Sequence, residues 1–179
     1  KQEELYTRYH RLCTLIGTAD GKKYRKFVQN ISLEYLISLA NHEMTKLTDR
    51  YKLCVSDDEK RPLEIDVIDL YQFSSHRPTS NLSGGETFLV SLALALGLSK
   101  MASQNVQVNS LFLDEGFGTL DDEALESALD TLASLQKEGK LIGVISHVAK
   151  LKERIRTQIE VQKLAGGYST IKGAGCSRT

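Results

Sequence analysis

Leu82-Ser83-Gly84-Gly85-Glu86 opens an apolar helical run, and Leu111-Phe112-Leu113-Asp114-Glu115 follows as an apolar strand that ends in two acids. A Ser-Gly-Gly turn at a helix start leaves backbone N–H groups unpaired. Its glycines let a ligand approach the main chain, and the helix dipole favours an anion. Alone, Ser83 and Glu86 also read as an ordinary capping box. The second stretch hands Asp114 and Glu115 to the carboxyl edge of a parallel sheet, where α/β proteins bind ligands. One acid can hold Mg²⁺ through water, and the next can orient or deprotonate an attacking water. Alone, it is equally a buried strand with a solvated acidic end. Gly118-Thr119-Leu120-Asp121 lies just beyond, a turn with Asp121 as a helix N-cap. Val144-Ile145-Ser146-His147 is a second apolar strand that brings His147 to the same edge. A lone histidine there is ordinarily a surface residue, so the four signals carry weight only through their order and spacing.

Outward from this centre, helix follows the Ser-Gly-Gly turn to about Ala102, and strands cover Ser110 to Asp114 and Leu141 to Ser146. Asp121 to Lys137 reads as helix, with acids in its first turn. Val148 to Ile155 reads as a shorter helix. Gln158 to Leu164 and Tyr168 to Lys172 alternate like an edge hairpin around Gly166-Gly167. Apolar strands separated by helices predict a largely parallel sheet covered on both faces. Upstream, residues 2 to 16 carry Leu5, Tyr9, Leu12 and Ile16 at helical spacing, and Gly17 to Gly21 interrupts them. Lys22 to Leu47 is helical, as two helices meeting near Asn30-Ile31-Ser32. Tyr51 to Val55 and Leu63 to Leu70 alternate as paired strands around Asp57 to Lys60, and Gln72 to Asn81 is a polar loop.

The chain has 179 residues, 23 Lys+Arg against 23 Asp+Glu, and 41% hydrophobic residues. That fits one domain, or one domain with a small appendage, and argues against a wholly disordered or fibrous chain. Zero net charge gives no global pull toward nucleic acid or anionic lipid, so any such contact is a local patch. The three cysteines, Cys13, Cys54 and Cys176, lack CxxC spacing and point to neither a disulfide framework nor a zinc site. Phe88 to Met101 is broken by serines, glycine and lysine and is expected to be too short for a membrane span. The N-terminus is polar, unlike a signal peptide.

The combination resembles the ATP-binding-cassette ATPases. Leu82–Glu86 resembles their signature motif, Leu111–Glu115 their Walker B strand, Gly118–Asp121 their D-loop, and His147 their switch histidine. The continuation Thr87-Phe88-Leu89-Val90-Ser91-Leu92, with Gly116-Phe117 after the acids, is similar to the SbcC family, a branch of DNA-repair ATPases related to the SMC proteins. A Walker A P-loop has no match here. Gly17-Thr18-Ala19-Asp20-Gly21-Lys22-Lys23 is one residue short, lacks the final Ser/Thr and has no preceding strand.

The resemblance implies the C-terminal half of a split ATPase head. Residues 1–16 would end a coiled-coil helix, 17–172 would form the half-head, and 173–179 a loose tail. The N-terminal half of the same protein would supply Walker A, and a second head would make a homodimer. Ser83, Gly84, Gly85 and Glu86 would serve ATP bound on the opposite head. Asp114 would help hold Mg²⁺, Glu115 and His147 would be catalytic, and Asp121 would link the two sites. An SbcD-like nuclease subunit, docking near residues 1 to 45, and double-stranded DNA are the implied partners, in the bacterial cytoplasm at the nucleoid, with no membrane. The four histidines, His10, His42, His76 and His147, show no nuclease-type ligand spacing. Lys22, Lys23, Arg25 and Lys26, and Lys150, Lys152, Arg154 and Arg156, are two basic clusters that could meet phosphates or simply face solvent. An SMC-type chromosome-organising ATPase, a transporter's nucleotide-binding domain and a stand-alone interaction domain are the competing readings.

Overall fold

Helix α1 (Gln2–Ile16) is followed by α2 (Lys22–Leu47), with Gly21 in the left-handed region at φ 65° before α2. The computed structural model describes residues 2–17, 20–58, 60–61, 63–102, 109–174 and 176. Positions 18 and 19 of the rejected P-loop stretch, 59 of the acidic turn, and 175 and 177–179 of the tail lie outside them. The predicted break at Asn30-Ile31-Ser32 is absent. Ser32 donates its hydroxyl hydrogen to the Val28 carbonyl at 3.0 Å, which absorbs the polar residue into one continuous helix.

The second half of α2 packs along α3 (Gly84–Ala102). Ile37, Ala40, Met44 and Leu47 meet Leu89, Val90, Leu92, Ala93 and Leu96 at the centre of the core. The helices touch backbone to backbone: a Cβ on Gly97 would lie 2.8 Å from the Ala40 nitrogen. Glu43 of α2 is fully buried beside them and is paired with Lys46, at 3.0 Å, and with Lys100 of α3. Burial pushes its carboxyl up, but the hydrogen bonds and charge of the two lysines outweigh that and hold it below its ordinary value. At 19 residues α3 is long and apolar enough, by length and composition, to cross a bilayer, so the expected shortness does not hold. Its apolar residues bury one face against protein.

Among the described residues the strands form three separate sheets. β1 (Tyr51–Val55), β2 (Ile65–Asp69) and β3 (Ser75–Pro78) pair antiparallel in that order. β3 corrects the predicted loop from Gln72. Its side chains show no apolar alternation, but its backbone pairs with β2 from Asp66↔Pro78 to Asp69↔Ser75. Asn41 of α2 locks the free edge of β1, donating to the Leu53 carbonyl at 2.9 Å and accepting from its N–H at 2.7 Å.

β4 (Ser110–Asp114), α4 (Asp122–Lys137) and β5 (Leu141–Ile145) form the βαβ unit, with Asp114 opposite Ile145 in parallel register. Among the described residues, parallel pairing is confined to these strands. Leu111, Leu113, Ile142 and Val144 turn to the core under α4. On the other face Phe112, Leu141 and Ile145 are 69%, 64% and 60% exposed. Cover was expected on both faces; among the described residues it exists on one. α5 (Ala149–Arg154) follows, and β6 (Ile159–Lys163) and β7 (Ser169–Gly173) form the expected hairpin, turning on Gly166 and Gly167 at φ 81° and 82°.

In a mid-helix position alanine normally gains about 1 kcal/mol over glycine. At Gly97 the sign should reverse. Gly97→Ala forces α2 and α3 apart and should lower unfolding free energy by about 1–3 kcal/mol in urea titration; unchanged or higher stability would show that the helices are not in backbone contact.

Candidate ATPase half-site

The Ser83 turn is a closed local circuit. The Glu86 carboxylate accepts the Ser83 N–H at 2.7 Å, and the Glu86 N–H donates to the Ser83 hydroxyl oxygen at 3.4 Å. This is the capping box predicted as the plain reading. It does not exhaust the turn. The Ser83 oxygen accepts, so its proton stays free to donate. Gly84 and Gly85 begin α3, where backbone N–H groups have no intrahelical partner.

The glycines have an internal reason as well. A Cβ on Gly85 would lie 2.8 Å from the Thr119 carbonyl oxygen, and one on Gly84 would lie 3.2 Å from the Thr119 methyl. Gly118-Thr119-Leu120 therefore packs directly on the turn. Thr119 is itself pinned by donating its hydroxyl hydrogen to the Gly116 carbonyl at 2.7 Å. Gly116, at φ 90°, sits against Phe88 of α3, whose ring packs at 4.7 Å, tilted, on buried Phe117. The Ser83 turn and the acidic strand end are thus parts of one packed unit.

Asp114 and Glu115 leave β4 exposed, and neither side chain has a hydrogen-bond or ion-pair partner among the described residues. Glu115 adopts φ 57° and donates its N–H to the Ile145 carbonyl at 3.0 Å, so the chain turns sharply as soon as the sheet ends. Register places His147 two residues past Ile145, at the same edge and exposed. Asp121 caps α4, accepting the Ala124 N–H on Oδ1 at 2.8 Å; its other oxygen remains for any longer reach.

As for a metal, no cluster of three or more His, Cys, Asp or Glu side chains exists among the described residues. A single unpartnered carboxylate at Asp114 suits Mg²⁺, which keeps waters and phosphate oxygens as its remaining ligands.

Behind the turn lies a network that the motifs did not announce. Glu86 also accepts from the Tyr51 hydroxyl at 2.6 Å and from Arg77 Nη2 at 3.1 Å. Arg77 Nη2 reaches Asp69 at 3.1 Å, and Arg50 grips Asp69 at 2.8 and 3.1 Å. Asp69 is fully buried, on the same strand face as Val67. Burial alone would raise the Glu86 carboxyl; the hydrogen bonds from Tyr51, Ser83 and Arg77 prevail and bring it down to about 2. The same bond and burial push Tyr51 up to about 12, burial being the larger cause. Arg77, Tyr51 and Asp69 carry no motif; the only sequence hint was acids at every second or third place in an otherwise apolar strand.

The basic clusters part company. Lys150 pairs with Asp122, and Arg154 bridges Glu126 at 2.8 Å and Asp130 at 3.0 Å, so two members of that cluster answer α4. In the first, Lys22 pairs with Asp20 at 3.0 Å, while Arg25 and Lys26 stand exposed on α2.

The family described as SbcC/RAD50-like, Walker B motif, matches residues 58–134. The SbcC subunit of the nuclease SbcCD from Pseudomonas aeruginosa is 44% identical over 95% of this chain. Over residues 58–134 the chain is therefore SbcC/RAD50-like in sequence. It spans 14% of that relative's length. Solved folds agree: an SMC ATPase studied for ATP-driven dimerization matches with TM-score 0.65 at 19% identity, over 84% of this chain and 89% of its own. The Smc head domain of Pyrococcus yayanosii, with its coiled coil and joint, matches with TM-score 0.60 at 20% identity, over 96% of this chain and 32% of its own. The chain shares the fold of these SMC head domains.

Because Glu86 is depressed in the fold, its contribution to stability is full above about pH 4.5 and disappears as pH falls toward 2. Its size is roughly 3 kcal/mol as an upper bound. Glu86→Gln should flatten that acid limb of an unfolding titration; an unchanged slope would show that Glu86 does not hold the turn.

Proposed function

We propose that this chain is the C-terminal half of an ATPase head that works by ATP-driven pairing with a second head. The observation that carries the reading is the contact of Thr119 with Gly84 and Gly85. It joins the signature turn to the acidic strand end in a chain whose sequence is SbcC-like. In this reading residues 1–16 end a coiled coil, 17–172 form the half-head and 173–179 the tail. The N-terminal half of the same protein brings Walker A and covers Phe112, Leu141 and Ile145.

The chain's own residues then divide the work. The Ser83 hydroxyl and the N–H groups of Gly84 and Gly85 donate to the γ-phosphate of ATP held by the opposite head, with Glu86 fixing their direction. Asp114 would hold Mg²⁺, which would supply charge neutralisation there. Glu115 receives the proton of the water that attacks phosphorus, and the bond to the departing ADP oxygen breaks. His147 donates to the γ-phosphate. Asp121 caps α4 and reaches across the head pair. Since the signature turn acts on the other head's nucleotide, ATP joins the heads and hydrolysis releases them.

We assign the output to regulation of an SbcD-like nuclease that processes double-stranded DNA ends, in the bacterial cytoplasm at the nucleoid. The nuclease subunit docks near residues 1 to 45, where Leu5, Tyr9, Leu12, Phe27 and Ile31 expose apolar surface. The SMC-type alternative draws on a fold shared at 19–20% identity, against 44% for the SbcCD relative.

Mg²⁺-ATP hydrolysis should be absent from the chain alone and appear on co-folding with the Walker A half. Hydrolysis by the isolated chain would sink the split-head reading. In the joined head Glu115→Gln should cut turnover by about 100-fold or more and trap an ATP-bound pair, seen by size exclusion.

For DNA, reversal of Arg25 and Lys26 to Glu should weaken binding and flatten its salt dependence by up to about two charges. Reversal of Arg154, which already answers α4, should leave that slope alone. Equal effects from the two would remove α2 as the DNA face.

A further inference from the structure

Arg77 occupies an unusual place. It lies on β3, away from every motif, yet its Nη2 stands 3.1 Å from both Asp69 and Glu86. Charges alternate along the line Arg50, Asp69, Arg77, Glu86, and Tyr51 closes it by donating to Glu86. The guanidinium of Arg50 lies 4.9 Å from the centre of the Tyr51 ring, and that of Arg77 lies 5.9 Å from it. Glu86 is the hinge of the circuit. One of its oxygens takes Tyr51 and Arg77, and the other takes the Ser83 N–H.

Two consequences follow from the chemistry. An uncompensated Glu86 carboxylate would put a negative charge directly beneath a turn whose donors face an anion. An untethered one would also let the Ser83 N–H swing, and with it the two glycine N–H groups. Arg77 prevents both faults with one atom. A simple helix cap needs only Ser83 and Glu86; it gives no reason for a charged chain running back through a fully buried Asp69.

We propose that Arg77, with Tyr51, is a positioning residue for the signature turn: it neutralises Glu86 and aims the Ser83-Gly84-Gly85 donors at the phosphate in trans. The proposal rests on the split-head reading, and its signature is separable from it. Because the turn serves the opposite head, loss of Arg77 should spare ATP binding by a single head. It should impair pairing and turnover.

The test compares wild type, Arg77→Met, Arg77→Lys and the double variant Arg77→Met/Glu86→Gln in the head joined with its Walker A half. Arg77→Met should lower kcat and ATP-driven pairing roughly 10- to 100-fold while single-head ATP affinity stays within about twofold. Arg77→Lys should retain most of the activity. The double variant should recover a large part of it, because removing both charges restores balance, which a merely structural defect would not show. In the same joined head, amide shifts of Ser83, Gly84 and Gly85 followed against pH should titrate at higher pH in Arg77→Met than in wild type. Turnover equal to wild type or unmoved turn amides would overturn the positioning role, and no rescue in the double variant would overturn its charge-neutralising part. A wild-type joined head that neither pairs nor hydrolyses ATP would overturn the split-head reading itself, and the phosphate-directed part of this proposal with it.

Discussion

Asp69 is an acid in a place without water, and the structure around the signature turn is arranged to keep it charged. A buried carboxylate without a partner is strongly destabilising. Arg50 meets it from just before β1, Arg77 meets it from β3, and the N–H of Tyr71 donates to it at 3.1 Å. Those bonds outweigh burial and hold Asp69 below its ordinary value; the Arg50 hydrogen bond is the largest of the causes. Each partner is committed elsewhere too. Arg77 reaches Glu86, and Glu86 reaches the start of α3. A shift of the antiparallel sheet would therefore drag on the start of α3, which packs against α2.

That dependence explains which parts were legible in the sequence. Helices α3 and α4 announced themselves through apolar spacing and N-terminal caps, and β4 and β5 through continuous apolar runs bounded by turns. Short-range chemistry of this kind is written into neighbouring residues. β3 was not legible, because Ser75-His76-Arg77-Pro78 offers no alternation; its strand character comes from pairing with β2. The supposed break in α2 failed for a related reason. Asn30-Ile31-Ser32 looks like punctuation, yet a serine that bonds back one turn is tolerated within a helix.

Of the candidate site, the motif runs could be read in the sequence and the side chains packed behind them could not. Ser83, Gly84, Gly85, Glu86, Asp114, Glu115, Asp121 and His147 sit in runs of fixed order. Thr119 was read only as one member of the Gly118–Asp121 turn. Arg77 and Asp69 are single residues separated in sequence from Glu86, and the pairing that joins them appears only when β2 and β3 fold together. The acids of β2 are a separate case. Alternation assigns Asp66 to the face opposite Val67, and by the same rule Asp69 falls on the inner face, where a charge is unexpected. Both are buried, each answered by arginine: Arg61 for Asp66, Arg50 and Arg77 for Asp69.

The two glycines of the signature turn carry a further point. Their presence is usually read as room for a ligand. Here Gly85 is required by the Thr119 carbonyl of the same chain, whatever binds outside. The two demands are compatible, since Thr119 presses on the position a Cβ would fill while the N–H groups at the start of α3 remain outside intrahelical pairing. A side chain at Gly85 would displace the D-loop turn first, and through Gly116 and Phe88 the sharp bend that carries Glu115. The turn and the acidic edge are thus coupled by exclusion: the absence of two Cβ atoms lets one loop lie on the other. Glu86 then fixes the direction of the same turn from behind, so Thr119 sets its depth and Arg77, through Glu86, its orientation.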